Sequence, residues 1–172
     1  MKSRWINFSI LQLILVAFIT APLSAADPSA FEVTGTGTVE TNCFGTFFPG
    51  CTVTATGKMT GTPILPGDFS LRFDTGSPNS LNGYPSTIQG VCVPASFLGA
   101  LTETGGDSIY FNHAGFACEE AGPSSPYVYH GTFRVTGGTG RFAAAVGSGI
   151  VVGTFTRDTA VALVYLRGSI TY

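Results

Sequence analysis

The feature that most constrains the fold of this chain is the alternation of apolar and polar residues with a period of two. In residues 31–40, apolar residues and glycines occupy the odd positions, whereas threonine and glutamate occupy the even positions. The same alternation returns in residues 51–61 and 69–74. Because successive side chains of a β-strand point to opposite faces of a sheet, each segment would have one apolar and one polar face.

Further strands are predicted near residues 87–93, 97–103, 108–113, 127–136, 149–156 and 160–172. Eight or nine short strands in one domain are typical of a barrel or a sandwich. Glycines within the strands favour the barrel, because they permit the bends that closure requires. The sequence therefore predicts an all-β fold: a single antiparallel up-and-down β-barrel of about eight strands, with one short helical turn near residues 140–145.

Residues 1–26 have the pattern of a secretory signal peptide, with basic Lys2 and Arg4, an apolar stretch, and small residues before the expected cleavage site. We expect residues 27–172 to form one domain of a secreted or periplasmic protein that meets a membrane only transiently, through its signal peptide. That domain has six basic and ten acidic residues, a formal charge of −4, and a nucleic-acid partner would require the opposite balance. No phosphate-binding loop is found, and no nucleic-acid partner or cofactor is expected.

All four cysteines lie in the expected exported part. An even number of cysteines in an oxidising compartment predicts two disulfides, for which three pairings exist. The pairing Cys43–Cys51 and Cys92–Cys118 is favoured, because the first pair flanks a short segment that is typical of a hairpin tip. Zinc is the alternative ligand, but the chain has no C-x-x-C pair and fits a zinc site poorly.

A glycine-rich motif lies between two of the last predicted strands. It reads GGTGRF and consists of Gly137, Gly138, Thr139, Gly140, Arg141 and Phe142. It resembles the GGTGxF segment of the allene oxide cyclase and dirigent β-barrel families. It is also similar to uncharacterised bacterial secreted proteins that carry GGTGRF before a Gly/Ser-rich strand and a final strand ending in tyrosine. The resemblance covers about residues 103–172 and implies an eight-stranded antiparallel barrel with an apolar interior.

We interpret this motif as a folding element. Its glycines permit a sharp turn, residues 141–145 can form one helical turn, and Phe142 can then close one end of the barrel. The resemblance does not bring the catalytic residues of the plant enzymes with it, because their positions cannot be matched to this sequence.

Three carboxylates are candidates for catalysis. Asp74 begins the string Asp-Thr-Gly-Ser, which resembles the active-site loop of aspartic proteases. That chemistry needs two carboxylates that share one proton, so a single copy would require a homodimer. The same string is also ideal turn composition. Glu103 and Asp107 are the first polar groups to consider inside a hollow barrel.

One histidine offers a metal-binding hypothesis. His113 shares a predicted strand face with Phe111, and Glu119 and Glu120 follow shortly after. A site built from His113, Glu119 and Glu120 has suitable ligand types, but a solvated loop is the favoured interpretation. The other histidine, His130, is predicted to lie on the surface.

Threonines form rows on the polar faces of two predicted strands, namely Thr34, Thr36 and Thr38 on one and Thr52, Thr54 and Thr56 on the other. A hydroxyl-bearing surface that binds a glycan or ice is one interpretation of these rows. The ordinary preference of threonine for exposed strand faces is the other.

The leading functional hypothesis is a non-enzymatic exported barrel that acts as a binding or envelope-associated module, with a glycan or an apolar small molecule as its expected partner. One alternative is a cyclase-like or dirigent-like barrel that steers an apolar intermediate by shape and excluded water. Others are a homodimeric aspartic protease that uses Asp74 and an outer-membrane barrel. The sequence leaves the ligand and the oligomeric state open.

Overall fold

The structure is a computed structural model, and it describes residues 27–43, 51–75, 92–119, 126–156 and 159–172. The expected signal peptide, residues 1–26, lies outside the described residues and stays a prediction. Among the described residues, no helix is both long enough and apolar enough to cross a membrane.

Eight antiparallel strands close into one up-and-down barrel, which confirms the predicted fold class. Each strand pairs with its neighbours in sequence, and the last strand pairs with the first, so the sheet closes on itself. The strands are β1 (Ser29–Cys43), β2 (Cys51–Thr62), β3 (Gly67–Thr75), β4 (Cys92–Glu103), β5 (Ser108–Glu119), β6 (Tyr127–Gly138), β7 (Val146–Thr156) and β8 (Val161–Thr171).

Two strands differ from the sequence prediction: residues 92–103 form one strand where two were predicted, near residues 87–93 and 97–103, and β5 is longer than predicted. Residues 87–91 lie outside the described residues. β4 begins at Cys92 and runs through Pro94, which would normally interrupt a strand because proline has no backbone N–H to donate. The described pairing of β3 with β4 ends at Thr75–Ala95, so Pro94 lies just beyond that ladder. β5 continues past His113 to Glu119, because the whole segment remains paired with β6.

The predicted alternation separates the interior of the barrel from its surface. Inward-facing side chains of all eight strands form one apolar core, whereas the intervening threonines and charged residues point outward. The largest fully buried side chains include Tyr129, Phe31, Phe111, Phe142 and Leu71. Burial of such a side chain contributes on the order of 2 kcal/mol to folding.

Pairs of glycines face each other across three of the ladders. A Cβ atom at each of these six positions would lie closer than 3.0 Å to the backbone of the partner strand, so the strands approach too closely for any larger residue. The pairs are Gly37 with Gly57, Gly115 with Gly131, and Gly149 with Gly168. The glycines favoured the barrel in the sequence, and these close approaches are consistent with that argument.

The strand directions define two ends of the barrel. The plug end carries the connections 63–66, 104–107 and 139–145, whereas the cystine end is the end at which β1, β3, β5 and β7 finish. A disulfide joins β4 to β5 at the cystine end, which confirms the predicted pair Cys92–Cys118. The backbone of Cys43 stands opposite Cys51 at the same end. The side chain of Cys43 lies outside the described residues, so the pair Cys43–Cys51 stays a prediction.

The plug end is closed by the glycine-rich motif. The expected helical turn is a 3₁₀ turn, Gly140–Phe142, which follows β6 directly. Phe142 is fully buried, and its ring centroid lies 5.0 Å from that of Tyr172, the residue after β8. The motif therefore folds back over the strand ends, as the sequence suggested for Phe142.

Candidate functional site

The polar candidates at the plug end are held in a structural cluster. Glu103 lies at the end of β4 and is only 5% exposed. Arg141 binds its carboxylate twice, because Nε donates to Oε2 at 3.3 Å and Nη2 forms an ion pair with Oε1. The backbone N–H of Leu65 donates to Oε1 at 2.7 Å. Since donors from two other connections engage both oxygens, this carboxylate joins the connections at the plug end.

Arg141 makes further contacts that fix its position. Its Nη2 atom also donates to the carbonyl of Pro63 at 2.9 Å. The guanidinium carbon lies 4.5 Å from the ring centroid of Phe142 and 5.6 Å from that of Tyr172. The hydrogen bond to Glu103, with the charge of that carboxylate, raises the pKa of the guanidinium. The side chain therefore serves as a permanent cation that ties three parts of the plug end together.

Asp107 supports the same turn from outside the barrel wall. Its Oδ2 atom accepts a hydrogen bond of 3.1 Å from the backbone N–H of Arg141. Gly140 adopts a φ of +54°, and a Cβ atom there would lie 1.7 Å from Oδ1 of Asp107. The carboxylate can approach only because residue 140 has no side chain. Glu103 and Asp107 are thus close together, but both are engaged by the motif.

Asp74 is exposed on the outer face of β3. Its Oδ1 atom accepts a hydrogen bond of 2.8 Å from the hydroxyl of Thr52 and lies 3.5 Å from Nε of Arg72. The residues that complete the Asp-Thr-Gly-Ser string, 76 and 77, lie outside the described residues. The carboxylate on its own is therefore a surface group that faces solvent and a cation.

The prediction of a solvated loop around His113 is wrong. Because β5 remains paired beyond this residue, His113 lies in mid-strand, faces the interior and is only 4% exposed. Its Nδ1 atom forms a hydrogen bond with the hydroxyl of Tyr129 on β6. The ring of Phe73 meets both partners edge-on, with centroids 6.4 and 5.4 Å away.

This buried polar pair is uncharged near neutral pH. Burial lowers the pKa of the His113 imidazole to about 3 and raises the pKa of the Tyr129 phenol. Each shift disfavours the charged form of its group, as desolvation requires. The pair can therefore donate and accept hydrogen bonds, but neither group is poised to exchange a proton at pH 7.

The described residues provide no cluster of metal ligands for the metal-binding hypothesis. Among the described residues, no group of three His, Cys, Asp or Glu residues is placed to hold a metal ion. The side chain of Glu119 and the whole of Glu120 lie outside the described residues. His113 itself points into the core, next to Tyr129, and His130 is exposed, as predicted.

The threonine rows lie on the outer face of β1 and β2. Thr34 and Thr60 stand opposite each other, and their hydroxyl oxygens are 3.4 Å apart. Charged residues interrupt the rows, since Lys58 stands opposite Thr36 and Glu40 opposite Thr54. The rows therefore have the mixed composition of an ordinary exposed strand face.

Side chains fill the plug half of the barrel interior. The space between β1, β2, β3, β4 and β8 there is lined mainly by Val33, Met59, Phe69, Leu101 and Leu166, and it has no room for a water molecule. A barrel that encloses a substrate needs an open interior. The described residues offer none in this half.

The outer face of the barrel wall differs from this filled interior. There the strand register places side chains of similar size in rows across β3 to β6. The row of small and short side chains consists of Asp74, Ser96, Ala114 and Thr132. The outward row toward the cystine end contains Pro94, Phe116 and His130, and the row toward the plug end contains Arg72, Leu98, Asn112 and Arg134.

A groove runs along the row of small side chains, and we call it the cross-strand groove. Its lining residues are Asp74, Thr75, Pro94, Ala95, Ser96, Ala114, Gly115, Phe116, His130, Gly131 and Thr132. Its volume is about 660 Å³, which lies in the range typical of small-molecule sites. The groove combines one carboxylate, several hydroxyls, an imidazole and an aromatic ring.

The floor of the groove is thin. A Cβ atom at Gly131 would lie 2.3 Å from the hydroxyl oxygen of Tyr129, and one at Gly115 would lie 2.6 Å from it. The hydroxyl that bonds to His113 therefore lies directly against the backbone beneath the groove. The buried polar pair and the cross-strand groove occupy opposite sides of the same section of wall.

Asp74 and His130 are recognisable one by one in the sequence, but the groove that contains both is not. A row across four strands depends on the register of three ladders, and no local pattern encodes those registers. The only signal is compositional, because small residues at Ser96 and Ala114 occupy outward positions where larger polar residues are common.

A scan against protein-family models, a search of curated proteins and a search of solved structures found no match to this chain.

Proposed function

We propose that this protein is an exported, non-enzymatic binding module whose ligand occupies the cross-strand groove. The observation that carries the proposal is the groove itself, a concave site of about 660 Å³ in the wall of the barrel, larger than the depressions of about 260 and 420 Å³ beside β1. Ligand sites are typically concave, with a few polar groups that orient the ligand over apolar surface. Ser96, Thr132 and Asp74 supply such groups here, and Phe116 supplies the apolar surface.

The positions of the other candidates support a binding role. Glu103 and Asp107 are engaged by the glycine-rich motif at the plug end, far along the strands from the groove. His113 and Tyr129 are neutral and buried beneath the groove floor. In the described part of the chain, Asp74 and His130 are the titratable groups that line the groove.

A groove-filling variant tests the proposal. In Ala114→Trp, an indole replaces the methyl group in the middle of the groove, so ligand binding is lost while the barrel stays folded. Ser70→Trp is the matched control, because Ser70 is an exposed outward residue on β3 that does not line the groove. Amide NMR shifts with a library of soluble sugars, short peptides and apolar small molecules give the readout.

The expected result is a set of saturable shifts at Ser96, Ala114 and Thr132 with at least one library compound. The shifts disappear in Ala114→Trp and persist in Ser70→Trp. Shifts that survive the filling of the groove, or a library without any groove ligand, would overturn the proposal. Robust turnover of a library compound that a single polar substitution abolishes would overturn its non-enzymatic part.

A second candidate is a cyclase-like barrel that binds an apolar intermediate near the buried polar pair. The observation that favours it is the hydrogen bond between Tyr129 and His113, surrounded by the rings of Phe73 and Phe155. A polar pair among aromatic rings could orient an apolar epoxide. The test is conversion of a fatty-acid epoxide by the wild-type protein and by Tyr129→Phe; equal product distributions with and without protein would eliminate this candidate.

A further inference from the structure

We infer that the ligand of the cross-strand groove is an uncharged oligosaccharide. This inference rests on the proposed function, because it names the ligand class of the same site. It follows from the shape of the groove, the chemistry of its floor and wall, and its charge balance.

The groove has the shape that an extended ligand requires. It crosses β3, β4, β5 and β6, and neighbouring strands lie about 4.8 Å apart, so it extends for roughly 15 Å across the outer wall. It is open to solvent along its length. A short chain of linked rings fits such a groove better than a compact molecule, which would leave much of it unfilled.

The floor presents the groups that recognise hydroxyls. Ser96, Thr132 and Asp74 stand in one row at one-strand or two-strand intervals; the two hydroxyls can donate and accept hydrogen bonds, and the carboxylate can accept them. A sugar carries several hydroxyls that each donate and accept. Repeated sugar units could therefore satisfy the repeated polar groups of the row.

The wall on the cystine-end side presents an aromatic ring. Phe116 is half-buried between Pro94 and His130 in the outward row, so its ring borders the groove. The C–H faces of sugar rings are apolar and pack against aromatic surfaces. An aromatic wall beside a hydroxyl-bearing floor thus matches the two kinds of surface that a sugar ring presents.

The charge of the site favours an uncharged ligand. Asp74 is the carboxylate of the groove, and it lies 3.5 Å from Nε of Arg72 in the next row. A phosphate or another polyanion would meet this carboxylate on the floor. An acyl chain would leave the hydroxyls of Ser96 and Thr132 unsatisfied.

The closure of the barrel disfavours the main alternative, a peptide. Peptides commonly bind a sheet by adding a strand to an exposed edge. Here β8 pairs with β1, and the sheet closes on itself, so that mode is absent from the described strands. A peptide would have to bind through side-chain contacts alone.

The experiment is an amide NMR titration of the full exported domain with cellotetraose, maltotetraose and chitotetraose. Hexanoate, inorganic phosphate and a neutral hexapeptide are the comparison probes. We expect at least one tetrasaccharide to give saturable shifts at Ser96, Ala114 and Thr132. Phe116→Ala should weaken that binding about tenfold, through the lost aromatic contact. Leu163→Ala is the control, because it removes an exposed apolar side chain from β8, outside the groove.

A second variant keeps the test decisive if Phe116→Ala fails to fold. Asp74 is exposed, so Asp74→Ala preserves the fold, and it removes the acceptor for a sugar hydroxyl, which should weaken sugar binding about fivefold, the loss expected for one hydrogen bond. Groove shifts from hexanoate or the peptide but from no sugar would overturn the sugar inference and leave the proposed function intact. Groove shifts from no probe would count against both. Sugar binding that neither variant weakens would overturn the assignment to this groove.

Discussion

The two ends of this barrel are closed by different physical means. At the plug end, the chain closes the opening with its own side chains, since Phe142 and Tyr172 pack together and Arg141 binds Glu103 and the carbonyl of Pro63. At the cystine end, the disulfide Cys92–Cys118 joins two neighbouring strands covalently. The plug end thus depends on contacts that exist only in the folded state, whereas a disulfide acts mainly by restricting the unfolded chain.

The two halves of the barrel also differ in the kinds of residue that face the interior. Toward the plug end they include Phe31, Ile64, Ile109 and Ile170, which fill the interior. Toward the cystine end they include four alanines and the polar pair, with the alanines at Ala55, Ala95, Ala117 and Ala162. The half that contains these alanines and the polar pair is also the half that carries the cross-strand groove. The comparison places the groove in the cystine half, whereas both ends contribute to stability by different physical means.

Removal of the disulfide should cause the largest loss of unfolding free energy. The cysteines are 26 residues apart, so the chain-entropy estimate for the double substitution Cys92→Ala and Cys118→Ala is a loss of about 3.5 kcal/mol of unfolding free energy. Urea denaturation followed by far-UV circular dichroism measures it. A loss below about 1 kcal/mol would show that strand pairing alone holds the cystine end, and the contrast between the ends would disappear.

Removal of the cation at the plug end should cause the second-largest loss of unfolding free energy. Arg141→Met keeps an unbranched apolar side chain but leaves the carboxylate of Glu103 buried without its counter-ion, and we expect a loss of about 3 kcal/mol. The partly exposed position of Arg141 places this value at the low end for such pairs. The double variant Arg141→Met with Glu103→Gln should recover part of the loss. If the double variant is no more stable than Arg141→Met, the ion pair does not hold the plug end.

Acidification should weaken the cystine half through the buried histidine. The pKa of His113 is about 3 in the folded protein and about 6.5 in the unfolded chain. The unfolded state therefore binds more protons between these values, and stability falls as the pH drops through this window. We expect about 2 kcal/mol to be lost between pH 6 and pH 4 from this group alone.

His113→Phe should remove that part of the pH dependence, whatever its effect on stability at pH 7. His130→Gln is the control, because His130 is exposed and should leave the slope unchanged. Unfolding free energies from urea titrations at several pH values give the slopes. Equal slopes for the wild-type protein and His113→Phe would mean that the imidazole is not buried as described.

Two glycines at the plug end give the smallest effect and a matched control. Gly140→Ala places a methyl group against Asp107 at a positive φ, and we expect a loss of about 1.5 kcal/mol. Gly105→Ala meets no atom within 4 Å and should change stability by less than about 0.5 kcal/mol. Thermal unfolding of the two variants side by side gives the difference. Similar melting temperatures would show that the turn adjusts and that the plug is not rigid.

Much of the fold could be predicted from the sequence, because its determinants are local. Alternation of side chains identifies β1, β2 and β3, and the glycines of the motif identify the 3₁₀ turn that ends at Phe142. Cys92 and Cys118 are placed opposite each other by the register of β4 and β5, which agrees with the favoured pairing.

The site could not be predicted in the same way, because it depends on contacts between distant positions. Arg141 and Glu103 are 38 residues apart, and neither side chain indicates its partner. His113 lies on a predicted apolar face, yet a single histidine there gives no sign of Tyr129, which reaches it diagonally from the next strand. The groove requires three registers at once, so it is visible only in three dimensions.

The seam between β1 and β8 has a consequence for how the chain matures. Residues 29–38 pair with residues 161–170, so the barrel cannot close until the last strand is available to pair with the first. Until then the growing sheet has two unpaired edges, which are prone to join other chains. Such a non-local closure is slow compared with hairpin formation. The threonines and glutamates of β1 would keep one of these unpaired edges hydrophilic until the barrel closes.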